Sequence, residues 1–136
     1  MSYLIDTNIA SELRRRHRGN PGVMRWAGTI HLSELHTSVL VIGEIRRGIE
    51  RKRRSDPERA LVLDRWLASV CADLAGKILP VDERIAELWG HLGASVSIPS
   101  IDGLIAATAI VHGLTLVTRN VKDMSATGAR LLNPFT

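Results

Sequence analysis

Five short apolar runs, the first four set apart by one helix or a helix pair each time, limit the fold of this chain more than any other feature. Tyr3-Leu4-Ile5 opens the chain, His36-Thr37-Ser38 closes a second run, and Lys77 to Val81, Leu114 to Val117 and Arg130 to Leu132 follow. Each is too short for a buried helix and is bounded by polar or turn-forming residues, which reads as a strand. The intervening stretches carry helical spacing: Ile9 to Arg14, a segment through Met24 and Trp26 to Ala27, Val39 to Lys52, a helix begun by Asp56-Pro57 and stopped at Gly76, one after Asp82 with the stripe Ile85, Leu88, Trp89 and Leu92, and Ile101 to His112. Capping residues and Pro at the first position mark several of these starts. Strands joined through helices favour a mostly parallel sheet with helices on both faces. The expected fold is therefore α/β: a single three-layer α/β/α domain over residues 1–136. Trp66 and Trp89 are expected in the core, Gly43 and Gly48 at close helix contacts, and Cys71 as a small core residue.

Polar residues at the ends of these elements then ask for an explanation. Asp6 follows the first strand directly, where open parallel sheets place their sites. Asp6 or Asn8 equally suits the start of the helix near Ile9, and the sequence alone leaves both roles open. Glu44 lies within an otherwise apolar helix face made by Leu40, Val41, Ile42, Ile45 and Ile49. Asp102 is in the first turn of a helix that is nearly all apolar, and Asn120 and Asp123 stand in the loop beyond the fourth strand. A parallel sheet brings Asp6, Asp102, Asn120 and Asp123 to one edge, and Glu44 joins them if its helix packs across that edge. Carboxylates gathered in this way repel one another unless a cation neutralises them. Oxygen donors without His or Cys suit Mg²⁺ or Mn²⁺, and phosphoryl transfer is the chemistry such a site serves.

Charge is distributed unevenly. The net charge is +4, yet residues 1–54 hold 11 Lys and Arg against 5 acids, and residues 55–136 hold 7 against 9. Arg14-Arg15-Arg16-His17-Arg18 and Arg46-Arg47 with Arg51-Lys52-Arg53-Arg54 make the difference. Such clusters attract phosphate, and they equally suit solvated helix ends facing the C-terminal dipole. No apolar run reaches the roughly 18 residues of a membrane span, and no basic segment precedes a hydrophobic one, so neither a membrane segment nor a signal peptide is expected. Cys71 is the one cysteine, which rules out an internal disulfide and fits a reducing cytoplasm.

Four motifs in order resemble the PIN-domain ribonucleases, in particular the VapC and FitB type toxins of bacterial toxin-antitoxin modules. They are Leu4-Ile5-Asp6-Thr7-Asn8, Val41 to Gly48 around Glu44, Asp102 to Ala109, and Leu116 to Met124; Lys77 to Asp82 and Asn133-Pro134-Phe135 look like the FitB branch. The resemblance implies an endoribonuclease whose carboxylates hold Mg²⁺ or Mn²⁺. By it Asp6, Glu44 and Asp102 carry over as metal-binding residues, with Asp123 as the fourth acid and Asn120 assisting. Thr7, Asn8 and Thr118 are expected to hold Asp6, and Arg46, Arg47 and Arg119 are candidate RNA contacts. It also implies a homodimer and a small antitoxin whose C-terminal segment enters the acidic cleft; operator DNA is expected only through that complex. Two other readings share parts of the pattern. A haloacid dehalogenase type phosphatase also runs a strand into Asp, but wants an acid where Asn8 stands. A non-catalytic nucleic-acid-binding or antitoxin-holding module would have no need of every acid position.

Overall fold

A computed structural model describes residues 1–136. The elements are β1 (Tyr3–Ile5), α1 (Thr7–Arg15), α2 (Pro21–Ala27), β2 (Leu35–Ser38), α3 (Val39–Ser55), α4 (Pro57–Asp73), β3 (Ile78–Leu79), α5 (Glu83–Gly93), α6 (Ser100–Val111), β4 (Thr115–Val117), α7 (Val121–Met124) and β5 (Leu131–Leu132). The strands form one sheet in the order β3-β2-β1-β4-β5, and every pair is parallel. Tyr3 lies opposite Leu35 on one side and Thr115 on the other. Connections that step from β1 towards β3 run opposite to those that step from β3 through β4 to β5. Right-handed crossovers therefore place α1 to α4 on one face and α5 to α7 on the other. The packing agrees: α1 touches α2 and α3, α3 lies along α4, and α6 touches α5 and α7. The three-layer α/β/α arrangement expected from the sequence is present.

Local chemistry sets the element starts. Ser38 is buried and accepts a hydrogen bond from Leu40 N–H at 3.0 Å, which fixes the first turn of α3. Asp56 and Asp82 cap α4 and α5, with Pro57 at the first position of α4. The core joins the central strands to the inner helix faces through Leu4, Ile5, Ile9, Val41, Ile45, Ile49, Ile105, Leu116 and Val117. Thr37, also buried, donates from Oγ1 to the Ile5 carbonyl at 2.9 Å and ties β2 to the end of β1.

Several expectations are corrected. Trp89 is 36% exposed, because α5 packs on α6 and leaves the rest of its stripe open; only Ile85 of that stripe is fully buried. Trp66 is half-buried beneath the Arg14 guanidinium, 5.7 Å from the ring centroid. Gly43 and Gly48 are exposed, and a Cβ at either would meet nothing within 4 Å, so neither serves close packing. The tight glycines are Gly19 and Gly22, where a Cβ would collide with the Glu12 and Pro134 carbonyls respectively, and Gly103, where it would lie 3.0 Å from Trp89. Val121–Met124 is a short helix rather than loop, and the third strand is reduced to Ile78–Leu79.

Candidate active site

β1 sits between β2 and β4, so the chain leaves β1 towards one half of the sheet and returns beyond it to build the other. The crevice between the carboxyl ends of β1 and β4 is thus the switch point where open α/β sheets bind their ligands. Asp6 ends β1 there. Its backbone N–H still donates to the Val117 carbonyl at 3.0 Å, extending the ladder by one residue and fixing the carboxylate beside β4. Its side chain is 3% exposed. Oδ1 accepts from Thr7 N–H at 2.8 Å, and Oδ2 accepts from Thr118 Oγ1 at 2.8 Å. Of the two roles left open by the sequence, the cap is therefore made: Asp6 caps α1, and its carboxylate lies at the carboxyl end of β1.

The neighbours continue this network. Thr118 Oγ1 accepts from Asn120 N–H at 3.1 Å, so the turn after β4 is folded onto the same hydroxyl that holds Asp6. Thr7 Oγ1 donates to Glu44 Oε1 at 2.7 Å, which brings α3 across to the start of α1. Glu44 forms no ion pair with Arg47 or any other arginine. Asn8 Oδ1 accepts from Arg119 N–H at 3.1 Å, so Asn8 organises backbone in the position where a phosphatase of the dehalogenase type would need an acid. Arg119 then lies over the Phe135 ring, 5.0 Å from its centroid.

Asp102 enters from the opposite layer. α6 runs antiparallel to the strands, so its first turn arrives at their carboxyl edge. The carboxyl of Asp102 is held above the usual carboxylate range, first by partial burial and then by the negative charges of Asp6, Glu44 and Asp123. That mutual repulsion links all four acids named from the sequence to one space. None of the four is paired with Lys or Arg. No three acidic, His or Cys side chains close to ion-holding distance by themselves. Uncompensated carboxylates around an oxygen-only crevice nonetheless fit a hard divalent cation, which would draw them together and remove the repulsion.

The remaining candidates divide. The Thr118 hydroxyl and the Thr7 backbone N–H hold Asp6 as expected, whereas the Thr7 hydroxyl binds Glu44 and Asn8 binds the Arg119 backbone instead of Asp6. Asn120 and Asp123 are exposed at the start of α7, on the rim. Arg46 lies away from the crevice, with its guanidinium held by Asp64 at 2.7 Å and Glu50 at 3.2 Å. Arg47 is exposed and unpaired. The sequence reading missed Phe135 as the support of Arg119, and missed the clasp in which Asn20 Oδ1 accepts from Thr136 N–H at 3.1 Å. The ending Asn133-Pro134-Phe135 was a signal for the family, not for this contact.

A second concavity, of about 1130 Å³, runs between α1 with its following 3₁₀ turn and α4. Leu13, Leu63, Trp66 and Val70 line it, and Arg14 to Arg18, Arg59 and Arg65 surround it.

The family model described as PIN domain matches residues 3–128. The chain is 31% identical to the protein named Toxin FitB of Neisseria gonorrhoeae, over 97% of each. It is 29% identical to VapC ribonuclease Y4jK of Sinorhizobium fredii, over 97% of this chain and 96% of that one. The crystal structure of FitAcB from Neisseria gonorrhoeae superposes with a TM-score of 0.88 at 31% identity, covering 97% of both chains.

Proposed function

The chain belongs to the PIN-domain family, and from that premise we propose that it is a metal-dependent endoribonuclease acting as the toxin of a toxin-antitoxin pair. The observation that carries this reading is the set of four carboxylates at the switch point, none paired with Lys or Arg, where burial and then mutual repulsion raise Asp102. The names of the relatives, a toxin and a VapC ribonuclease, support the activity.

Asp6, Glu44, Asp102 and Asp123, with Asn120 at the rim, would hold Mg²⁺ or Mn²⁺. When bound, such an ion neutralises charge developing on the scissile phosphate and lowers the pKa of an attacking water. The chain's own residues do the positioning. Thr7 and Thr118 fix the oxygens of Glu44 and Asp6, so these carboxylates need no reorganisation when a phosphodiester arrives. Arg119, steadied by Phe135 and by the backbone bond to Asn8, would bind a phosphate oxygen.

The partner reading rests on the second concavity. Its apolar floor and cationic rim suit an amphipathic acidic segment, and the FitB relative was solved as FitAcB. A small antitoxin would lay such a segment there and extend its end into the acidic cleft, where an Arg or Lys replaces the metal's charge. DNA is bound through that complex. Purified protein freed of any partner, incubated with RNA, should cut it in the presence of Mg²⁺ or Mn²⁺ and stop when EDTA is added. Absence of cleavage with either ion would contradict the proposal.

A further inference from the structure

The second half of α3 carries Arg46, Arg47, Arg51, Lys52, Arg53 and Arg54, and the structure sorts these cations into groups with different surroundings. Arg46 and Arg53 turn towards α4. Both reach Asp64 at 2.7 Å and share Glu50, at 3.2 and 2.9 Å, so their charges are matched and they pin one helix to the other. Arg47, Arg51 and Arg54 are exposed and have no carboxylate within ion-pair distance. Their spacing of four and three residues makes one stripe along the helix.

That stripe begins at the active site. At 3.6 residues per turn, Glu44 and Arg51 differ in direction by only about 20°, and Arg47 and Arg54 lie within about 80° of Glu44 on the same flank. The helix rise places Arg51 about 10 Å and Arg54 about 15 Å from Glu44 along the axis. A shallow depression of about 520 Å³ lies over the stripe, lined by Arg47, Glu50, Arg51, Arg53 and Arg54 with no apolar residue. The oxygens of Glu50 are occupied by Arg46 and Arg53, so the free charge in the depression is positive. The helix dipole accounts for cations in the last turn only, which leaves Arg47 and Arg51 without that explanation.

We infer that Arg47, Arg51 and Arg54 form a phosphate-binding track along α3 that leads an RNA backbone to Glu44; the inference rests on the ribonuclease reading above. Repeated guanidiniums over this length suit successive phosphates, and the absence of any apolar or aromatic anchor disfavours a protein partner on this flank.

The test compares wild type, the triple variant Arg47→Gln/Arg51→Gln/Arg54→Gln, the triple Lys variant at the same positions, and Arg25→Gln, an exposed arginine on α2. Filter binding of a labelled single-stranded RNA of mixed sequence is measured in Ca²⁺ across a salt series, with single-turnover cleavage in Mg²⁺ or Mn²⁺ alongside. The track predicts that the triple Gln variant loses about 2 from the slope of log K against log salt, since each phosphate contact to a single strand contributes about 0.7. The triple Lys variant should keep most of the slope, and cleavage by the Gln variant should recover as protein concentration is raised. An unchanged slope in the Gln variant, with wild type still cutting, overturns the track and leaves the nuclease reading intact. The same slope loss in Arg25→Gln, or an unchanged slope with loss of self-association by light scattering, also overturns it. Wild type that neither binds nor cuts RNA overturns both.

Discussion

Thr118 is the residue on which the site's geometry converges, because its one hydroxyl donates to Asp6 and accepts from Asn120 N–H while the side chain is completely buried. Thr118→Val keeps the shape and removes both bonds. The buried Asp6 oxygen and the Asn120 N–H each lose a partner, so unfolding should become easier by about 1–3 kcal/mol. Cleavage should fall about 10–100-fold, the usual effect of losing a group that orients a metal ligand. Thr118→Ser should retain most of both, and denaturant melts with initial rates check the pair. Asp102 gives the opposite sign in stability. Its folded pKa lies above the unfolded value, so the folded state favours the neutral form; stability is fully present below the unfolded carboxylate range and declines as pH rises through the raised value. At pH 7 without divalent ion, Asp102→Asn should therefore melt higher than wild type, by roughly 2–4 °C if the relieved repulsion is worth about 1 kcal/mol after solvent screening. The gain should shrink on acidification and on adding Mg²⁺. A lower melting temperature under metal-free neutral conditions would contradict the repulsive cluster.

At the scale of elements, Ser38→Ala is the informative change, since α3 carries Glu44 and begins at that buried cap. Loss of the bond to Leu40 N–H should cost about 1 kcal/mol and is read from a urea melt; no change would mean that packing alone fixes the helix start. Elements were also what the sequence showed most clearly. Strand runs, caps and the helix around Glu44 follow from local chemistry, so their order and a mostly parallel sheet could be foreseen; that every pair is parallel is seen only in the fold. Periodicity identifies an apolar face but not what covers it, which is why Trp89 was expected in the core and lies on the surface. Gly43 and Gly48 suggest packing in the sequence and lie open in the fold, because a sequence does not distinguish a crowded glycine from an open one. The long-range contacts, Thr7 with Glu44 and Arg119 with Phe135, join residues remote in sequence. Only the family resemblance anticipated Thr7 near the acids, and nothing anticipated Phe135. The charge run of α3 was legible as a cluster, whereas its division by Asp64 and Glu50 required the neighbouring helix.

For the whole molecule, a sheet that reverses its winding at β1 brings residues from Asp6 to Asp123 to one edge, using both helical layers. No helix is long and apolar enough to cross a membrane. Leu61 and Val62 on α4 are 54% and 49% exposed, and Trp89 and Ile101 add apolar surface on the other layer. A homodimer is expected; light scattering at micromolar concentration should give twice the 15.0 kDa chain mass, and a monomer would contradict it. If the carboxylates at the switch point hold a metal ion for RNA cleavage, Asp6→Asn removes one charged ligand and little else. The substitution is nearly isosteric, so the fold should survive and RNA should still bind. In single-turnover assays with Mg²⁺ or Mn²⁺, wild type should cleave and Asp6→Asn should be slower by several orders of magnitude, with chelator abolishing the wild-type reaction. Cleavage by wild type in excess chelator, or by Asp6→Asn at the wild-type rate, would contradict it.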